Sequence, residues 1–350
     1  MICVVCPMPH YMAWAIQKFI EESQEDVELI AFYPIQSEVP ITGVETILKK
    51  KVIWISASEG RTLREILGRH PRILVESGWH LYCINKFISE VRQNGGHVIS
   101  MCDNAFHLSL IEIIKAIRFR LLLRNKFSGI MVPGISGKRL MRFYGMPRDS
   151  VMGGLYTASP EVFYSGRPLL EREKKFIYVG RLDKRKNVMR VCRAFAHLYA
   201  QNSEWSLELF GRGEFSDALS LCEGIKVHDF TQGEHLADAY RSARCMILAS
   251  LQENWGVVVH EAALSGCALL LSDRVGSKDD LANAKNAVFF NPRSVRAIVN
   301  AMMRIMEFTD AEWRQAQSES ERLAAEISPS VFSRNLRSLI AKVSVPRLNG

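Results

Sequence analysis

No apolar run in this 350-residue chain reaches the ~18 residues of a membrane-spanning helix, so no spanning segment is expected. The first residues, Met1-Ile2-Cys3-Val4-Val5-Cys6-Pro7, lack the basic stretch that opens a secretory signal and read instead as a first strand. The eight cysteines are scattered. Cys3 and Cys6 alone have CxxC spacing, and no second pair accompanies them. Buried thiols are therefore expected rather than a zinc site or a redox pair, and with them a reducing, cytoplasmic compartment. Internal repeats and low-complexity tracts are absent. Charge is not lopsided: 45 basic against 37 acidic residues leave +8. That bias suits an anionic ligand, an anionic membrane surface or nucleic acid, and does not choose among them.

What is present is alternation. Short apolar strands at 1–7, 27–33, 51–56, 72–76, 97–102, 129–133 and 150–155 are separated by helical stretches at 11–23, 61–69, 80–93, 108–126 and 137–144. That is the pattern of a parallel sheet wrapped by helices. Ser159-Pro160, Gly166-Arg167-Pro168 and the charged run Glu171-Arg172-Glu173-Lys174-Lys175 interrupt it. The alternation then restarts with strands at 176–180, 206–210, 225–228, 245–249, 268–272 and 287–290, followed by two helices across 310–342. The chain is too long for one core. We expect an α/β protein of two doubly wound domains, 1–160 and 174–325, with a linker at 161–173 and a C-terminal helix in 326–350 packing on the first domain. Two such domains imply a cleft, with ligands bound at the carboxyl ends of strands.

The residues that suggest chemistry stand at those ends. In Val179-Gly180-Arg181-Leu182-Asp183-Lys184-Arg185-Lys186 a strand runs into a cationic loop. An Arg181 fork and a Lys186 point charge suit a diphosphate; a solvated basic loop is the plainer reading. Phe210-Gly211-Arg212-Gly213 puts glycines where a backbone can approach a ligand, although Ser216 breaks the dinucleotide fingerprint. Glu253 and Glu261 flank the start of an apolar helix that stops at Gly266. Eight helical residues span about 12 Å, enough for two hydroxyl-bearing parts of one extended ligand. A loop glutamate and a snorkelling core glutamate would look the same. The amides at Gly256 and Val257 offer an anion site.

Gly180-Arg181-Leu182 with Lys186, then Phe210-Gly211-Arg212-Gly213, then Glu253-x-x-Gly256 with Glu261, then Ser272-Asp273 and Gly276, resemble glycosyltransferase family 4, retaining enzymes of the GT-B fold. The resemblance covers about residues 176–291 well. In the first half, Cys102-Asp103-Asn104, Val132-Pro133-Gly134 and Gly154-Leu155-Tyr156 resemble the bacterial members linked to surface polysaccharides. It implies that Arg181 and Lys186 hold the donor diphosphate and that Glu253 contacts the donor sugar. Glu261 would take the ribose, and the amides at Gly256 and Val257 the distal phosphate. The loop after the first strand, Cys6-Pro7-Met8-Pro9-His10-Tyr11, lacks the glycines many members have there. Asp103, at a strand end, is a candidate for orienting acceptor or sugar, with a loop cap as the alternative. His10, His80 and His107 also lie near strand ends, where a structural histidine is the commoner case.

The expected reaction is retaining transfer of a hexose-type sugar from a nucleotide-diphosphate donor to a glycan or lipid-linked hydroxyl, in bacterial polysaccharide or lipopolysaccharide synthesis. No Asp-x-Asp occurs, so no metal is expected and no cofactor beyond the donor. Rival readings are a sugar-nucleotide epimerase, a phosphorylase or a basic binding module; nucleic acid is not the expected partner, since the informative cations sit at strand ends rather than in one patch. Helix 108–126 carries an apolar stripe, Leu110, Ile113, Ile114, Ile117 and Leu121, among Lys115, Arg118, Arg120, Arg124 and Lys126. It suits either peripheral contact with anionic lipid or packing of the stripe inward on the sheet.

Overall fold

The structure is a computed structural model, and it describes residues 1–32, 43–56, 63–107, 109–200, 204–219 and 222–344. The expected element ends at 33, 61, 62 and 108, and residues 345–350, lie outside that set. The chain divides into two units. Met1–Thr157 joins the stretch from Ser328 onward, and Ala158–Ile327 forms the second. Among the described residues no helix is long and apolar enough to cross a membrane.

Among its described residues the first unit holds seven strands: β1 (Ile2–Cys6), β2 (Val27–Phe32), β3 (Ile53–Ile55), β4 (Ile73–Glu76), β5 (His97–Met101), β6 (Gly129–Met131) and β7 (Val151–Met152). All pair in parallel, in the order β3-β2-β1-β4-β5-β6-β7. Side chains alternate along a strand, so β1 sends Ile2, Val4 and Cys6 to one core and Cys3 and Val5 to the other. Both faces are covered, which is why these strands read as unbroken apolar runs. Helix His10–Glu22 covers one face through Ile16 and Phe19. Helix Pro329–Ser344 joins it there with Phe332, Leu336 and Leu339. Ser333 Oγ donates to Glu22 (2.7 Å) and Asn335 Nδ2 to the Gly153 carbonyl (2.9 Å). The C-terminal helix thus belongs to the first unit.

One group in this core is costly. Glu76 ends β4, is wholly buried, and neither carboxyl oxygen makes a full hydrogen bond. Burial pushes its carboxyl up to about 7, and Ser100 and the Trp79 amide pull it back only part of the way. An unfolded chain loses this proton near 4.5, whereas the folded one keeps it to about 7. Between those values the folded state binds more protons, so stability falls as pH rises, by about 3 kcal/mol at most. Glu76→Gln is expected to remove most of that slope in denaturant melts between about pH 5 and pH 8. A variant that loses as much as the parent would contradict the assignment.

Among its described residues the second unit has six strands: β8 (Glu173–Val179), β9 (Ser206–Phe210), β10 (Ile225–His228), β11 (Ala243–Leu248), β12 (Ala268–Ser272) and β13 (Ala287–Phe290). They are parallel, in the order β10-β9-β8-β11-β12-β13. Residues 161–173, read as a linker, lie in this unit. Arg172 is buried there and donates to the carbonyls of Arg167, Tyr240 and Ala243. Short helices at Val44–Leu48, Ser216–Leu219 and Lys278–Leu281 are additions to the sequence reading. Each is too short to show a period.

Candidate functional site

In the second sheet the chain runs outward from β8 toward β10 and from β11 toward β13. β8 and β11 are neighbours, so the loops that follow them diverge at a topological switch point and leave a crevice at the strands' carboxyl ends. Arg181 and Lys186 come from the loop after β8, and Glu253 from the loop after β11.

The first loop is tightly braced. Gly180 N donates to the Phe210 carbonyl (3.0 Å), and Leu182 N to that of Arg212 (2.9 Å). Tyr178 hydroxyl donates to the Arg181 carbonyl (2.7 Å). Gly211 has φ +150°, and a Cβ there would stand 2.0 Å from the Gly180 oxygen. No other residue fits so close a crossing. Asp183 organises the charges: its carboxylate accepts from Lys186 N (2.8 Å) and from Arg181 Nε (2.8 Å). Burial raises the Asp183 carboxyl, but these contacts outweigh it and hold the group below the usual range. Asn187, at φ +63°, ends the loop and donates to the carbonyls of Ala249 (3.1 Å) and Pro292 (2.8 Å).

Lys186 Nζ and the Glu253 carboxylate form an ion pair, each side chain only 12% exposed. Ser250 Oγ donates to the same carboxylate (3.1 Å). Glu253 is fixed through its backbone too: its N–H donates to Arg274 (3.1 Å) and its carbonyl accepts from Gly276 N (3.0 Å). Gly276 is required here, because a Cβ would lie 1.9 Å from the Asn254 oxygen. Ser272 Oγ donates to the Ser250 carbonyl (2.8 Å), tying β12 to the same loop.

Helix Val257–Leu264 starts at Gly256, φ +89°, with no side-chain cap, so its positive end faces out of the loop carrying Glu253. Glu261, in its second turn, accepts from Tyr240 hydroxyl (3.3 Å). Its carboxyl is enclosed, and burial pushes it up to about 7. The structure thus gathers Arg181, Lys186, Glu253 and Gly180 around two adjoining loops, with Gly211, from the loop after β9, crossing against the first. Gly256 and Val257 continue the second loop into a helix, and Glu261 lies one step deeper against Tyr240. Asp103 stands in the first unit, hydrogen-bonded to the partly buried Tyr156. His80 is exposed, and His107 lies half-buried in the loop after β5. Among the described residues no three His, Cys, Asp or Glu side chains cluster as a metal site.

Two features escaped the sequence reading. His260 is buried; its Nδ1 accepts from Ala158 N (2.9 Å), so Nε2 carries the proton and donates to Ala324 O (3.0 Å). Burial lowers it to about 4, leaving a neutral tie across the unit. At the ends of β9 and β10, Phe210 stacks on His228 (4.2 Å), whose Nε2 meets Glu208 (3.0 Å). A His beside a Glu in sequence gave no sign of the first, nor strand residues twenty apart of the second.

Both units are Rossmann-like α/β domains, and the fold matches that of GT-B glycosyltransferases. Residues 165–322, within the second unit, match the family model described as glycosyl transferases group 1. A curated relative, an uncharacterized glycosyltransferase of Methanocaldococcus jannaschii, is 26% identical over 141 residues, 38% of this chain and 36% of that one. The matched stretch spans little more than a third of that relative. Among solved structures, Anabaena HepE in complex with UDP and glucose has a TM-score of 0.74 at 11% identity, covering 98% of this chain and 100% of that one. The lipopolysaccharide outer core galactosyltransferase WaaB has 0.68 at 14%, covering 97% and 99%.

Proposed function

We propose that the chain is a retaining, metal-independent glycosyltransferase of family 4. In this reading it moves a hexose-type sugar from a nucleotide-diphosphate donor to a glycan or lipid-linked hydroxyl, in bacterial polysaccharide or lipopolysaccharide synthesis. It works on the cytoplasmic side, in peripheral contact with anionic membrane. The observation that carries it is the Lys186–Glu253 pair with Arg181 beside it, set where the loops after β8 and β11 diverge. The HepE structure with UDP and glucose, and the galactosyltransferase activity in WaaB's name, support a nucleotide-sugar donor.

The chemistry asks for charge control. As the bond from the anomeric carbon to the diphosphate oxygen breaks, negative charge grows on the leaving diphosphate. Arg181 and Lys186 stabilise that charge, with the amides of Gly256 and Val257 at the distal phosphate. Glu253, freed from part of its hold on Lys186, accepts hydrogen bonds from the sugar hydroxyls; Glu261 does so from the ribose. The leaving phosphate oxygen takes the acceptor's proton as the new bond forms on the same face, so the anomeric configuration is kept. Asp103 orients the acceptor.

The test is transfer from UDP-, GDP- and ADP-sugars to glycan and lipid-linked acceptors, in EDTA, with the product anomer read by NMR. Net transfer with retention is expected. Epimerised donor without transfer, inversion, or activity restored only by Mg²⁺ or Mn²⁺ would contradict the reading.

A further inference from the structure

We propose that helix Leu110–Leu122 is the surface by which this chain docks on an anionic lipid membrane. The inference rests on the peripheral membrane contact in the reading above and assigns it to one element of the first unit. The helix is well anchored from beneath. Ser109 caps it, accepting from Glu112 N (3.1 Å). Its inner side is Ala116 and Phe119, the latter ringed by Trp79 (5.4 Å), Phe127 (6.0 Å) and Tyr144 (5.1 Å). Glu112 turns inward to accept from the Tyr144 hydroxyl, and Arg120 donates to the Phe143 carbonyl (2.7 Å).

That anchoring settles which way the apolar stripe points. It faces solvent: Leu110 is 80% exposed, Leu121 76%, Ile114 59% and Ile117 52%, with Ile111, Ile113 and Leu122 beside them. One exposed leucine on a surface helix needs no explanation, but seven large apolar side chains on thirteen residues form a patch that water penalises. At ~100° per residue they fill about half the helix circumference. Lys115 and Arg120 fall just beyond the two edges of that arc, and Arg118 lies within it, on a stem long enough to carry its charge outward. Arg124 follows in the next turn. The one acidic residue of the helix, Glu112, lies on the inner side. Glu112 also pairs with Lys115 (3.5 Å), so Arg118, Arg120 and Arg124 carry most of the net charge, and an apolar arc with that cationic border fits acyl chains beneath anionic headgroups. A second copy fits worse, since a two-fold interface would set the same cations against each other.

The full chain is sedimented with vesicles of phosphatidylcholine, with and without phosphatidylglycerol. Binding is expected to the anionic vesicles and to weaken with salt. Ile114→Glu with Leu121→Glu, both at exposed positions, should reduce binding at least ~10-fold. Lys115→Glu with Arg118→Glu should reduce it on anionic vesicles. No binding by the parent chain would overturn the proposal, as would undiminished binding by the apolar variants. So would a dimer in light scattering that these variants dissociate, with no vesicle binding. Binding of UDP, GDP and ADP to the same preparations separates the two claims: its absence beside intact vesicle binding sinks the donor reading and leaves this one standing.

Discussion

Lys186→Ala is expected to lower the rate of sugar transfer by at least ~100-fold while the chain stays folded. Lys186 lies in the crevice after β8, its ammonium on Glu253 and its amide on Asp183. In the free protein the pair keeps two half-buried charges satisfied. Removing the lysine leaves Glu253 with Ser250 as a donor, so the carboxylate is weakened but not orphaned. The cost to stability is therefore modest, and the cost to turnover is large. Charge on the leaving diphosphate is greatest in the transition state, so the loss should fall on kcat more than on KM. Lys186→Arg keeps the charge but changes its shape, and should recover part of the rate. Near-parental turnover in the alanine variant, with an unchanged melting curve, would remove Lys186 from the machinery.

Gly211→Ala is expected to cost ~3 kcal/mol or more of stability and to weaken donor binding with it. The added methyl would stand 2.0 Å from the Gly180 oxygen, on a backbone held at φ +150°. The obstacle is main chain, which cannot swing aside as a flexible side chain does. Relief must come from parting the loops after β8 and β9, which are joined by Gly180 N to Phe210 O and Leu182 N to Arg212 O. That movement displaces Arg181. Gly233 is the internal control: its φ is +63° but nothing lies within 4 Å of its would-be Cβ. Gly233→Ala should cost only about 1 kcal/mol, from the backbone alone. Equal losses in the two variants, read by denaturant melts, would show that the close crossing does not matter.

The alternation of strands and helices was legible because both faces of each sheet are covered. Runs such as Met246-Ile247-Leu248 then need no polar partner every second residue, and at β8 and β9 a glycine, Gly180 or Gly211, marks where the strand stops. Arg181 and Lys186 could be placed at a strand end for the same reason. What holds them could not. Asp183 and Ser250 are near in sequence to the groups they hold, but Lys186 meets Glu253, and Tyr240 meets Glu261, only through the fold. His260 looked like one more residue of an apolar helix until its two nitrogens were found between Ala158 and Ala324. Helix 108–126 shows the limit most clearly. Periodicity revealed the stripe from Leu110 to Leu121, but a stripe does not say which way it faces. The smaller inner side, Ala116 with Phe119, is what the sheet takes.

The central claim is that the crevice between the loops after β8 and β11 grips a nucleotide through its phosphates. Titration with a nucleoside, its monophosphate and its diphosphate, in the uridine, guanosine and adenosine series, tests it most directly. For the preferred base, the diphosphate should bind at least ~10-fold more tightly than the monophosphate, through charge-assisted hydrogen bonds to Arg181 and Lys186. That advantage should vanish in Lys186→Ala. Equal affinity along the ladder, or a diphosphate preference untouched by the substitution, would contradict the account.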